Sequence, residues 1–142
     1  MESCLYLLTG ATGLLGGNIV RALAERGEQV CALVMPNDPA IASMPKGVAV
    51  VEGDLLDQAA LDRFFSVPGP AARVVIHAAS IVTLDPRPNE TVRAVNVDGT
   101  RNIVERCLRY RVKKLVYVSS TSVIPEPPAG QPSPGPVAAG PR

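Results

Sequence analysis

The chain is poor in the residues that mark specialised protein classes. It has one histidine and three cysteines in 142 residues. Cys4, Cys31 and Cys107 stand far apart and none forms a CxxC pair. With no second histidine, a metal site lacks ligands at suitable spacing. Each cysteine falls in an apolar stretch, which reads as buried thiols in a reducing compartment. Charge bias is also absent. The formal net charge is +1, so no broad field draws the chain to nucleic acid or to an anionic membrane. No apolar run approaches the roughly 18 residues of a membrane span. The N-terminus has no basic stretch ahead of its first apolar run, so no signal peptide is read. A cytoplasmic protein with no nucleic-acid or membrane partner is expected.

What is present is a globular composition, 46% apolar and 19% charged, in a length suited to one domain with its own core. Apolar runs alternate with helical patterns. Cys4–Leu8, Val30–Val34, Val48–Val51, Arg73–His77 and Lys114–Ser119 read as strands. Helices are expected over about 14–26, Gln58–Phe65 and about 89–110. In the last, Val92, Val95, Gly99, Ile103 and Cys107 step by three or four and share a face. The near-continuous β-branched strands suit a parallel sheet covered on both sides. The expected fold is α/β, a doubly wound Rossmann-like sheet of order 3-2-1-4-5, with its ligand at the carboxyl ends of strands one and four.

The densest signal is TGATGLLGG, Thr9 to Gly17. It joins the first strand to the first helix, and Gly10, Gly13 and Gly16 are spaced GxxGxxG. Such a turn aims backbone N–H groups and a helix N-terminus at one point, where a pyrophosphate can sit. Gly10 suits the tight turn, Gly13 the close approach of phosphates, and Gly16 the packing of helix on strand. The strand–turn–helix context makes this stronger than a bare glycine pattern. Other polar residues follow later strands: Asp54, His77 and Ser119–Ser122. A plainer reading makes Asp54 a helix N-cap before Gln58 or a turn residue, the serines a loop start, and Asn96 a structural residue bonding a neighbouring loop. The basic cluster Arg106, Arg109, Arg111, Lys113 and Lys114 complements a helix C-terminus.

Residues 125–142 differ in kind. They hold seven of the fourteen prolines, a density that no helix or strand survives. A disordered Pro/Gly/Ala-rich tail is expected there, following a dinucleotide-binding domain over 1–124.

The motifs TGATGLLGG, GDLLD (53–57), VVIHAAS (74–80), NVDGTRN (96–102) and LVYVSS (115–120) occur in one order. In this the chain resembles the extended short-chain dehydrogenase/reductases, the NAD-dependent epimerase/dehydratase family, in its dihydroflavonol-reductase and 3β-hydroxysteroid-dehydrogenase branch. The resemblance covers about residues 4–124. It implies NAD or NADP as cofactor, a small-molecule substrate, and reaction at a hydroxyl or carbonyl carbon. The implied cofactor contacts are Thr9, Gly10, Thr12, Gly13, Leu14 and Gly16 around the phosphates, Asp54 and Leu55 at the adenine, and Ala78 and Ala79 near the ribose. His77 is read as structural or cofactor-adjacent, and Ser120 as the catalytic serine.

The resemblance also implies a Tyr–Lys pair well beyond the serine, and the sequence has neither residue after Tyr117. Tyr110–Lys114 spells YxxxK, but a helix running antiparallel to the strands puts it at the edge opposite the cofactor. The chain therefore reads as the cofactor-binding part of an enzyme, truncated after the fifth strand. A non-catalytic dinucleotide sensor is the alternative, and an interaction protein working through its Pro-rich tail is a third reading. An open apolar edge strand predicts self-association. Cofactor preference stays open. Val34 and Met35 stand where an acid would favour NAD and an arginine NADP, and Asp38 lies in a Pro-flanked turn nearby.

Overall fold

The computed structural model describes residues 3–121 and 129–130. Among these described residues, five parallel strands form one sheet in the order β3-β2-β1-β4-β5. They are β1 (Cys4–Thr9), β2 (Gln29–Val34), β3 (Ala49–Glu52), β4 (Ala72–His77) and β5 (Lys114–Tyr117). The register sets Thr9 beside both Leu33 and His77, Val34 beside Glu52, and His77 beside Tyr117. All five strands therefore end along one edge, and the order reverses between β1 and β4. This is the expected doubly wound topology. Most of the tail expected to be disordered, and Ser122 of the serine run, lie outside the described residues.

The strand period of two sorts the core into two layers. Leu5, Leu7, Cys31, Leu33 and Val75 point to one side and meet Leu61, Phe64 and Phe65 of α2 (Gln58–Phe65) with Ile103 and Cys107 of α4 (Thr100–Arg109). Leu8, Val30, Ala32 and Val34 point to the other side, against Val20 of α1 (Leu14–Glu25). The interior strand β2 is buried along nearly its whole length, while the edge strands β3 and β5 stay partly exposed. Cys31 and Cys107 are buried and Cys4 half-buried. Burial pushes the Cys31 thiol up to about 12 and that of Cys107 to about 11, which keeps both unreactive.

The long helix expected over 89–110 forms in three parts: α3 (Glu90–Arg93), a π-helical turn (Ala94–Gly99) and α4. The sequence pattern explains the wide turn. Val95, Gly99, Ile103 and Cys107 step by four, which in a regular helix drifts about 40° per step. A π turn takes up part of that drift and keeps Val95 on the core side with Gly99, Ile103 and Cys107. Asn89 caps the start by accepting from Val92 N at 3.1 Å. A short 3-10 helix at Pro39–Ser43, capped by Asp38, was not legible in the proline-broken stretch after β2.

Arg106 stands in the last turn of α4, as the basic cluster was read, but it is also buried, 6% exposed. Its Nε donates to Asp62 Oδ1 at 3.1 Å, and its Nη2 donates to the carbonyl and side-chain oxygens of Gln58 at 3.1 and 2.8 Å. It thus ties α4 to α2. Its step of three from Ile103 carries it toward α2, and the amphipathic pattern alone hides the partner. Arg106→Ala is expected to lower the unfolding free energy by about 2 kcal/mol, read by urea titration. Arg106→Lys should restore only part of this, because a lysine lacks the planar fork.

Candidate nucleotide-binding site

The turn after β1 is built so that no side chain stands between α1 and the sheet. Gly10 has φ +72°, and a Cβ there would lie 2.7 Å from the backbone of Ala78 and Ala79. Position 16 is stricter still, since any Cβ would collide with the Gly10 carbonyl. Helix α1 therefore begins directly over the ends of β1 and β4. Gly13 is its N-cap, no side chain caps it, and its first turn holds no acidic residue. The first-turn N–H groups have no intrahelical acceptor, and the helix dipole adds partial positive charge at the same point.

A cavity of about 470 Å³ opens there, along the carboxyl ends of the strands. Thr9, Gly10, Thr12 and Gly13 form one side. Leu33, Val34 and Met35 come from the end of β2, and Gly53, Asp54 and Leu55 from the end of β3. Ala78, Ala79, Ser80 and Ile81 follow β4, and Thr91 and Val95 come from the long helix. The structure thus brings together eight of the eleven residues read from sequence as cofactor contacts. The other three lie off the wall. Leu14 is 89% exposed at the head of α1, Gly16 is buried beneath the turn, and His77 is buried under the cavity floor. Ser120 is exposed three residues beyond the end of β5, on the same edge but outside the wall.

Asp54 is half-buried and its Oδ1 accepts from Leu56 N at 2.9 Å. Asp54 is thus the turn residue of the plainer reading, its carbonyl also accepting from Asp57 N, while the helix cap belongs to Asp57, whose Oδ1 accepts from Ala60 N. Leu55 is held from two sides: Gly99 packs on its side chain, and Asn102 Nδ2 donates to its carbonyl at 3.0 Å. Asn96 is structural, as read. Its Oδ1 accepts from Ile81 N and its Nδ2 donates to Ile81 O, both at 2.8 Å. Asp38 is committed to Ala40 N at 2.9 Å as a cap and does not line the cavity. The wall at the end of β2 therefore presents Val34 and Met35 without an acid or a base. Thr91 and Val95 were missed as wall residues. Val95 carried a signal, the four-step run it begins; Thr91 carried none.

The YxxxK run lies at the far edge, as the antiparallel geometry requires. Tyr110 packs on Phe65 with ring centroids 5.5 Å apart. Lys113 N donates to Arg73 O, and Lys114 pairs with Val74, both near the start of β4. Among the described residues, no three His, Cys, Asp or Glu side chains are grouped to hold a metal, and no helix is long and apolar enough to cross a membrane.

His77 is 1% exposed, and burial lowers its pKa from the usual 6.5 to about 4. The unfolded chain therefore binds the proton first. Stability is complete above pH 6.5, falls as pH drops toward 4 and levels off below it. The expected loss is roughly 3 kcal/mol. Urea midpoints measured across that window check it, since a His77→Gln variant should show a much flatter dependence.

Comparison with known proteins finds relatives by sequence and the same fold among solved structures. The chain is 33% identical over 138 residues to human 3β-hydroxysteroid dehydrogenase type 7, covering 92% of this chain and 36% of the relative. It is 37% identical over 120 residues to a sterol-4-α-carboxylate 3-dehydrogenase (decarboxylating) of Schizosaccharomyces pombe, covering 83% and 34%. The chain spans about a third of the length of these curated relatives. Among solved structures, a Thermus thermophilus UDP-glucose 4-epimerase in complex with NAD superposes with a TM-score of 0.77 at 29% identity, over 93% of this chain and 42% of that one. A short-chain dehydrogenase/reductase superfamily protein from Agrobacterium tumefaciens with bound NAD gives 0.71 at 29%, over 85% and 34%. The model of the NAD-dependent epimerase/dehydratase family matches residues 6–141, and the chain belongs to that family.

Proposed function

We propose that this chain forms the NAD(P)-binding part of an oxidoreductase or epimerase acting on a hydroxyl or carbonyl carbon of a small molecule. The observation that carries the reading is the uncapped N-terminus of α1, set over a cavity behind a glycine turn that side chains at positions 10 and 16 would block. Backbone donors converging on a point without a side-chain acceptor suit a pyrophosphate. Gly10, Thr12 and Gly13 would hold it there, with Thr9 beneath. Asp54 would accept from the adenine amino group while Leu55, fixed by Gly99 and Asn102, lies against the ring. Ala78 and Ala79 have the small side chains that let a ribose pass close to the end of β4.

When bound, the nicotinamide ring would exchange a hydride with the reacting carbon. The chain's own part is to bind, orient and keep water from that face of the site. Ser120, on the same sheet edge, would donate a hydrogen bond to the substrate oxygen. A general acid–base poised near neutral pH completes such chemistry. In this reading neither Tyr110 nor Tyr117 is that group: Tyr110 lies at the opposite edge and Tyr117 stacks on buried His77. The relatives include a 3β-hydroxysteroid dehydrogenase, a sterol-4-α-carboxylate 3-dehydrogenase and a UDP-glucose 4-epimerase, and a small-molecule alcohol or ketone is the substrate class proposed for the parent activity.

Fluorescence titration with NADH and NADPH tests the reading. Saturable binding of at least one is expected, and Asp54→Ala should weaken it roughly tenfold, the loss of one charged hydrogen bond. Absence of saturable binding by a folded chain would overturn the reading.

A further inference from the structure

Below the cavity floor runs a chain of hydrogen bonds centred on His77. Its Nδ1 lies 2.7 Å from Thr9 Oγ1 and its Nε2 lies 2.8 Å from Thr100 Oγ1. The same Thr9 oxygen accepts from the Ala79 amide at 3.2 Å. Tyr117 covers the imidazole, with ring centroids 5.5 Å apart and planes at 18°. Whichever tautomer is present, both ring nitrogens are bonded, so a turn of the ring breaks both contacts. The two threonines belong to opposite sides of the site. Thr9 ends β1 and lines the cavity; Thr100 opens α4, directly after the π turn that contributes Val95 to the wall.

We propose that His77 is a positioning residue for the dinucleotide. Through Thr9 it fixes the Ala79 amide on the cavity floor, and through Thr100 it fixes the distance from that floor to the helix wall bearing Thr91 and Val95. The inference rests on the dinucleotide reading above. Its physical basis is that a binding surface keeps its geometry when the groups behind it are locked by packing and hydrogen bonds. Burial suits the role, because the ring stays neutral down to about pH 4 and no charge develops beneath the cofactor.

Thr100 does not line the cavity, so its substitution can reach the nucleotide only through His77 or the helix. Thr100→Val is expected to weaken NADH binding several-fold, and His77→Gln, which cannot reach both threonines, roughly tenfold. In both variants the Ala79 amide should exchange faster with solvent in the absence of nucleotide. If the variants fold and bind NADH as tightly as the parent chain, the proposal is overturned, even where Ala79 exchange changes. His77 is the single histidine, so its ring 15N signals identify themselves in the unsubstituted chain. They should shift when NADH saturates it, and unmoved signals would overturn the proposal even if a variant fails to fold. A parent chain that binds no dinucleotide at all would instead remove the functional reading, whereas bound NADH with unaffected variants would remove this inference alone.

Discussion

The contact between Gly16 and the Gly10 carbonyl is the constraint on which the site depends. It leaves no room for a Cβ, and so lets α1 start over the sheet edge and not beside it. Every later feature inherits that placement. The cavity exists because α1 and the long helix flank the point where strand order reverses, and the reversal falls between β1 and β4 because the crossovers run to opposite sides. A larger residue at position 16 would push the helix outward and carry its unpaired donors away from the floor formed by Thr9, Ala78 and Ala79.

Polar groups inside this sheet edge are satisfied by pairing between elements distant in sequence. Thr9, His77 and Thr100 form one such set; Arg106, Asp62 and Gln58 form another on the α2–α4 side. Both lie where helices meet the rest of the fold, and both replace water with fixed partners. The cost of leaving buried Thr9, His77 or Arg106 unpaired is what makes the arrangement specific. The first set serves the site and the second serves the scaffold.

Much of this was legible in the residues. The near-continuous apolar run Val30–Val34 appears as a strand with its start one residue earlier, and the helix Gln58–Phe65 appears with the expected ends. The glycine turn was readable because a positive φ and a forbidden Cβ both demand the same residue. Asn96 was readable because an amide inside a helix must find its partner outside it. Arg106 was not, since a basic residue near a helix C-terminus has a sufficient local explanation and its partners are over forty residues away. The same holds for Thr100, whose hydroxyl gives no local sign that it meets a histidine on another element. The π turn was not legible, since steps of three and four from Val92 to Cys107 also fit one face of a regular helix.

Asn96 closes a ring with both backbone groups of Ile81. Past that clamp, residues 82–88 are exposed, and Thr83, Asp85 and Arg87 bond to one another. The clamp therefore works as a firewall for sequence change. Insertions, deletions and drift can accumulate between Val82 and Pro88 without transmitting to the wall at Ser80 and Ile81, so this stretch is where such a scaffold can diverge while its nucleotide cavity stays the same.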